Sequence, residues 1–341
     1  MPGVVVYVNC VAGEVAALQA RIVALLIQAK DQGIDYVSGG DIARQLGISR
    51  SAVWKYIEAI RNNGAVVDAV PGKGYQLVNS DDLLLPGAIN VKTDVVGCEY
   101  VYLPEVDSTN SEAKRRIQAG CPEGLVLAAE NQTQGRGRMG RPWYSVAGKN
   151  LAFSVVLFPS GIPLSRAPFL TPLSAVAVCR AVKKVSGLSI ELKWPNDLLI
   201  AGLKAGGILL EAGAEMDRLR YAVIGIGINV NLSHGDIPEA VARTATSLSL
   251  AAGKPVSRRR LLEEIMISLD SYYTKFCSGG AQSILTEYVE LCSTLGKEIA
   301  FLWQGQRRSG RAVSVAPDGA LIVITKSGEM LTLRAGDVHC L

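Results

Sequence analysis

Asn131-Gln-Thr-Gln-Gly-Arg-Gly-Arg-Met-Gly-Arg-Pro-Trp143 holds three arginines, three glycines and no acidic residue. It follows a strand-like run, Gly124 to Ala129, and precedes another, Leu151 to Leu157, so it reads as a loop joining two strands. Glycine lets backbone N–H groups approach an anion closely, and Arg136, Arg138 and Arg141 add forked, permanently charged donors. That combination suits a phosphate, or a carboxylate and a phosphate held together. The other reading is a solvated Arg-Gly tract of the kind found in RNA-binding tails. A single copy between two apolar runs argues against it.

Around this loop, strands alternate with helices. Tyr100 to Leu103 reads as a strand, and Val106-Asp-Ser-Thr-Asn110 leads into a helix ending at Ile117. Asp107 or Ser108 can serve as that helix's N-cap, whereas Ser, Thr and Asn at the mouth of a strand-to-helix turn can also hold a polar ligand. Downstream, Leu164 to Val185 reads as a long helix ended by Gly187, and Ile190 to Lys193 as a strand. Leu198 to Ile200 and Lys204-Ala-Gly-Gly-Ile-Leu-Leu-Glu211 make a hairpin-like pair, and Tyr221 to Asn231 a buried strand. The Gly225-Ile-Gly227 pair is too short for a dinucleotide fingerprint. Lys193, Asp197 and Lys204 fall on two strands and their connection; a carboxylate among lysines neutralises them, or orients one and helps bind a metal on a nucleotide. Mixed strands and helices make this part α+β or α/β.

Upstream, Leu18 to Ala29 has helical spacing. Ser38 to Ile57 then reads as two short helices joined at Gly47, with Ile42, Ala43 and Leu46 facing Val53, Ile57 and Ile60, the arrangement of a helix-turn-helix. Its second helix exposes Arg50, Ser51, Trp54 and Lys55, residue types that contact grooves and phosphates. A hairpin follows, Ala65 to Val70 and Tyr75 to Val78, with Lys73 at its tip, so the unit resembles a winged helix. Protein contact is the competing role; the completeness of the motif favours DNA. The boundary is expected within Asn79 to Asn90.

Composition sets the frame. Apolar residues are 49% and charged residues 19% of 341, which is globular and long enough for more than one core. The formal charge of +4 permits a nucleic-acid partner without demanding one. Seven dispersed cysteines with no CxxC pair fit reduced thiols, and two histidines leave little room for histidine catalysis. No stretch is long and apolar enough to span a membrane, and no basic residue precedes Arg21 as a secretory signal would require, so a cytoplasmic location is expected.

Three signatures occur in order: Asp107-Ser-Thr-Asn, Gly135-Arg-Gly-Arg-Met-Gly-Arg-Pro-Trp143, and Lys193-Trp-Pro-Asn-Asp197 followed by Lys204. Together they closely resemble the biotin protein ligases. With the winged helix and its Pro71-Gly-Lys-Gly-Tyr75 turn in front, the chain is similar to the bifunctional ligase/repressors of that family from about Ala17 onward. The resemblance implies a multidomain α+β fold: a winged helix-turn-helix over 15–80, a central mixed α/β class II synthetase-like ligase domain over 81–295, and a small C-terminal β-barrel over 296–341. The barrel is read from strands near Ile299 to Trp303, Gly310 to Val315, Ala320 to Thr325 and Met330 to Leu333.

It further implies that biotin is activated by Mg2+-bound ATP to biotinyl-5′-AMP and passed to a lysine of the biotin carboxyl carrier protein of acetyl-CoA carboxylase. The adenylate-bound homodimer then binds operator DNA of biotin genes. Carried over position by position, Ser108, Thr109, Asn110 and Gln132 line the biotin end, and Arg136, Gly137 and Arg138 close over carboxylate and phosphates. Lys204 touches the biotin carboxylate and the α-phosphate, while Asp197 orients Lys204 and assists the metal. Trp143, Asn196 and Asn229 serve the nucleotide. Met139 departs from the pattern, standing where many relatives carry a basic or polar residue. Competing readings are a ligase whose winged helix no longer represses, a ligand sensor without turnover, and a lipoate ligase of shared fold.

Overall fold

The computed structural model describes residues 12–159, 161–215 and 218–341; Cys10 and the opening of the segment searched for a secretory signal lie outside them. The amino-terminal unit holds α1 (Ala12–Asp31), α2 (Gly39–Leu46), α3 (Arg50–Asn62), β1 (Val67–Val70) and β2 (Gly74–Leu77). Its boundaries have local causes. The Ser38 hydroxyl accepts from the Asp41 N–H at 3.0 Å and caps α2, Gly47 ends it at φ 68°, and the Ser49 hydroxyl caps α3 by accepting from Ala52 N–H at 3.1 Å. Ile42, Val53, Ile57 and Ile60 then bury against Ile22 and Leu26 of α1. β1 and β2 pair antiparallel with Lys73 in the turn, a hairpin shorter at both ends than the sequence implies.

The junction is packed from both sides. Leu83 and Leu85 enter the amino-terminal core, while Leu84 between them enters the core of the central unit. An extended chain points alternate side chains to opposite faces, so three consecutive leucines splice two cores. At Gly87, φ 88°, the chain lies so close to α1 that a Cβ would sit 1.9 Å from the Ala20 carbonyl oxygen.

The central unit comprises β3 (Tyr100–Val106), α4 (Thr109–Gln118), β4 (Val126–Gln132), β5 (Asn150–Leu157), α5 (Leu170–Ser186), β6 (Glu191–Lys193), β7 (Asp197–Ile200), β8 (Leu203–Glu215), β9 (Arg218–Asn229), α6 (Leu248–Ala252), α7 (Arg258–Cys277) and α8 (Ala281–Leu291). Seven strands run in the order β3-β4-β5-β9-β8-β7-β6; β3 and β4 are parallel across the α4 crossover and the remaining pairs antiparallel. Two expectations shift. β4 continues to Gln132, so Asn131 and Gln132 belong to a strand rather than to the basic loop. The helix expected from Leu164 begins at Leu170, after a 3-10 turn that contains Pro168.

Period-2 alternation divides the sheet's faces. Leu151, Phe153 and Val155 of β5 and Ile224, Ile226 and Ile228 of β9 pack into the large core with α5 and α7, where Phe169 and Phe276 stack at 5.5 Å. Val156 and Val223 face the other way, under Ala113 of α4. α4 covers one part of that second face, and further along it β9 carries Gly225, Gly227 and Asn229.

Five strands complete the chain: β10 (Glu298–Trp303), β11 (Gln306–Val315), β12 (Leu321–Thr325), β13 (Met330–Leu333) and β14 (Val338–Cys340), antiparallel in the order β13-β12-β11-β10-β14. The last of these is one more than the sequence pattern indicates. Ile299, Phe301, Leu321 and Val323 join the same core as α5 and α8.

Candidate active site

On the half-covered face of the sheet lies a cavity of about 460 Å³, lined by Ser108, Thr109, Asn110, Gln132, Arg136, Gly137, Arg138, Trp143, Asn196, Asp197, Lys204 and Asn229 among others. Every residue expected at the biotin and nucleotide ends therefore meets in one place.

One end of the cavity is polar and buried. The Gln132 side-chain oxygen Oε1 accepts from the Thr109 N–H at 2.8 Å and from its hydroxyl at 3.1 Å, supplying the partner that an N-cap side chain otherwise gives. Ser108 makes no cap bond and lines the cavity. Asp107 is structural: it accepts from Ser108 N–H at 2.7 Å and pairs with Arg115, whose hydrogen bonds hold its carboxyl at about 2. The Ser154 hydroxyl bonds both Thr109 Oγ1 at 2.7 Å and Asn110 Oδ1 at 2.6 Å. Asn110 donates to Glu211 at 2.8 Å, and Lys114 pairs with that same carboxylate. Hydrogen bonding to Lys114 and Asn110 outweighs burial and lowers the pKa of Glu211. A side chain on β9 is impossible here: a Cβ at Gly225 would lie 2.3 Å from Asn110 Oδ1, and one at Gly227 2.6 Å from the Trp143 ring.

At the other end the Lys204 ammonium sits 2.5 Å from Asp197 Oδ1. β7 and β8 reverse at Ala201 and Gly202, both at positive φ (49° and 78°); the register sets Lys204 opposite Leu199 and Asp197 opposite Gly207, and the lysine side chain spans the offset to the carboxylate. Lys204 is fixed by its own backbone, donating to the Thr244 carbonyl at 2.7 Å and accepting from Thr246 N–H at 2.9 Å. Asn229 steadies that clasp, donating to the Thr246 carbonyl and accepting from Asn150. Asn196 donates to the Ile208 carbonyl, and Trp194 is buried with its indole N–H on the Gly319 carbonyl, so the tryptophan of this motif ties down the carboxy-terminal strands.

The basic loop crosses above. Arg136 donates to the Ser111 hydroxyl at 2.6 Å, Arg138 to Asn196 and to the Gly336 carbonyl at 3.3 Å each, and Arg141 pairs with Asp337 at 2.8 Å. Burial lowers the pKa of Arg138, the mark of a guanidinium that would gain from an anion. The Trp143 indole N–H is buried with no partner among the described residues, an orphan donor inside the cavity wall. Met139 is exposed, at φ 55°.

Far from the cavity, Arg50, Ser51, Trp54 and Lys55 lie exposed on α3, with Trp54 56% exposed. Lys73 stands 5.7 Å above the Tyr36 ring, which the Tyr36–Asp68 hydrogen bond anchors.

Ser154, Glu211, Lys114, Asp337 and the Lys149–Asp236 pair at 2.6 Å escaped the sequence reading. Ser154 alone had a signal, a hydroxyl in an otherwise apolar strand; the others depend on which loops meet. Among the described residues no cluster of three or more His, Cys, Asp or Glu could hold a metal, and no helix is long and apolar enough to cross a membrane.

Residues 102–229 match the biotin/lipoate A/B protein ligase family, and residues 19–76 match an HTH domain. The bifunctional ligase/repressor BirA of Bacillus subtilis (strain 168) is 36% identical over 315 residues, 92% of this chain and 96% of its own length. Its namesake in Escherichia coli (strain K12) is 28% identical over 303 residues, 89% and 91% of the two chains. The biotin protein ligase from Aquifex aeolicus, solved with biotin and ATP, superposes with a TM-score of 0.61 at 28% identity, covering 70% of this chain and 97% of that one.

Proposed function

The chain belongs to the family of bifunctional biotin ligase/repressors, and on that premise we propose how its residues divide the work. It activates biotin with ATP to biotinyl-5′-AMP, transfers biotin to a lysine of the biotin carboxyl carrier protein of acetyl-CoA carboxylase, and represses biotin synthesis genes through its winged helix. The observation that carries the division of labour is that Lys204, Asp197, Arg136 and Arg138 line one cavity together with Ser108, Thr109, Asn110 and Gln132.

In the first step a biotin carboxylate oxygen attacks the α-phosphorus of ATP and pyrophosphate leaves; in the second a lysine amine attacks the carboxyl carbon and AMP leaves. The first step brings two anions together, and in the second the amine gives up a proton as the amide forms and AMP carries the negative charge away, so the task is positioning and electrostatics rather than covalent catalysis. Thr109, Asn110 and Gln132 give the ureido ring donors and acceptors that repay its burial. Lys204, oriented by Asp197, meets the carboxylate and the α-phosphate where negative charge accumulates. Arg136, Gly137 and Arg138 cover the phosphates, and Trp143, over the glycine floor, flanks the nucleotide with Asn196 and Asn229.

Mg2+ shields the phosphates from their own charge when it accompanies the nucleotide. Asp197 fits it: only Oδ1 takes the Lys204 ammonium, and Oδ2 accepts no hydrogen bond among the described residues. One protein carboxylate with the rest of the shell from phosphate and water is ordinary for this ion. Arg50, Ser51, Trp54, Lys55 and Lys73 contact operator DNA, a homodimer forms when the adenylate is bound, and the protein works in the cytoplasm.

Labelled biotin supplied with ATP and a carrier domain should end on one carrier lysine, while a parallel gel-shift assay finds salt-sensitive preference for the chain's own biotin-gene promoter. Ligation without any such preference would remove the repressor half; preference without ligation would leave a ligand sensor.

A further inference from the structure

α7 opens with Arg258-Arg259-Arg260 and no acid in its first turn, against the preference of a helix N-terminus for negative charge. The first of these is also buried, 3% exposed, which a lone guanidinium cannot afford. Its partners come from two places. From the junction, Asp82 offers its carboxylate at 2.9 Å and its carbonyl at 3.0 Å. From the sheet strands that lead towards the cavity, Glu130 offers Oε1 at 2.7 Å and Asn150 its carbonyl at 3.1 Å.

Each of these strand partners has a second duty. Glu130 Oε1 also accepts from the Gly148 N–H at 2.5 Å, and Glu130 lies two residues before Gln132 on β4. Asn150 accepts from Val146 N–H with its side-chain oxygen and donates to Asn229, which braces the clasp on Lys204. The junction is equally bound: Ser257 donates to the Asp81 carbonyl, and Lys30 of α1 donates to Val78 and Ser80. One guanidinium thus closes a continuous path from the winged helix to the wall of the ligand cavity.

We propose that Arg258 is a positioning residue that makes the Asn79–Leu84 junction and the Tyr144–Asn150 segment, whose Tyr144 and Val146 line the cavity, one mechanical unit, so that order at either end strengthens the other. A coupling of this kind is reciprocal: ligand in the cavity tightens the junction, and a loosened junction loosens the wall. The ligand arm of the test rests on the biotin and ATP reading above; the ligand-free arm does not.

The test is hydrogen–deuterium exchange on the full chain with Asp82→Asn, which weakens the junction side and leaves Glu130, Asn150 and all cavity residues in place. Without ligand, peptides covering 144–150 should exchange at least about fivefold faster than in the parent, together with 79–84, while α5 keeps its parent rate. With biotin and Mg2+-ATP, 79–84 should slow in the parent and not in the variant. Arg258→Lys, which keeps the charge but loses the fork, should fall between the two. Faster exchange at 79–84 alone overturns the proposal. Uniform quickening that includes α5 overturns it too, since Arg258 would then be a brace of the whole fold. Pyrophosphate release is followed on the same samples. Release with a junction that ignores ligand sinks the coupling and spares the ligase reading; coupled ligand-free exchange without release does the reverse.

Discussion

Replacing Lys204 by alanine separates chemistry from folding. The Lys204 and Asp197 side chains are 39% and 24% exposed, and a pair that close to solvent contributes about 0–1 kcal/mol to stability. The β7–β8 hairpin is held by backbone bonds from Lys204 to Thr244 and Thr246, which the substitution keeps. Urea unfolding of Lys204→Ala should thus stay within about 1 kcal/mol of the parent. The rate behaves differently, because the ammonium faces charge that accumulates in the transition state inside a partly dry cavity. Loss of one such preorganised donor costs about 2.7–4 kcal/mol, a fall of about 10²–10³ in turnover. The assay is pyrophosphate release with biotin and Mg2+-ATP at saturation. Asp197→Asn, which leaves the lysine present but unsteadied, should lose less. Release by Lys204→Ala within about threefold of the parent, with the fold intact, would refute the role assigned to the ammonium.

Gly227→Ala drives a Cβ to 2.6 Å from the Trp143 ring, and such overpacking costs about 1–3 kcal/mol, so urea unfolding should lose stability of that order and calorimetry should find biotin or ATP bound about tenfold or more weakly as the ring is displaced. Arg50→Ala with Lys55→Ala should abolish promoter binding and leave carrier biotinylation intact; loss of both would show that α3 does more than read DNA. Asp107 and Asp236 are held at about 2 by hydrogen bonds to Arg115 and to Lys149, below the ordinary carboxylate value of about 3.9. Their contribution to stability is complete above about pH 4 and is lost as pH falls towards 2, and urea midpoints measured downward from pH 6 should lose that acid limb in Arg115→Met with Lys149→Met.

The parts legible in the sequence were those fixed by local chemistry. Ser38, Gly47 and Ser49 announce the ends of α2 and α3 through caps, and the apolar run Tyr221 to Asn231 announces a buried strand. The cavity residues were found because three short motifs occur in order, and the sheet does bring Gln132 and Lys204 to one cavity. The purpose of the glycines in Gly225-Ile-Gly227 is not legible locally: they vacate space for Asn110 and Trp143, and both partners are distant in sequence. Asp337, Glu211 and Asp236 stayed hidden for the same reason. Nothing near a surface-type acid in the chain tells which arginine or lysine will be folded against it. Pro168 marked the late start of α5, but the surrounding apolar spacing masked it.

The carboxy-terminal strands share their interior with the catalytic sheet, through Ile299, Phe301, Leu321 and Val323, and hold the indole of Trp194. Exchange of this segment between relatives therefore grafts half of a common interior, not a detachable accessory. Chimaeras should tolerate new strands only when the complementary faces of α5 and α8 travel with them, and a stop codon between Lys297 and Leu321 should yield an insoluble product rather than a trimmed enzyme.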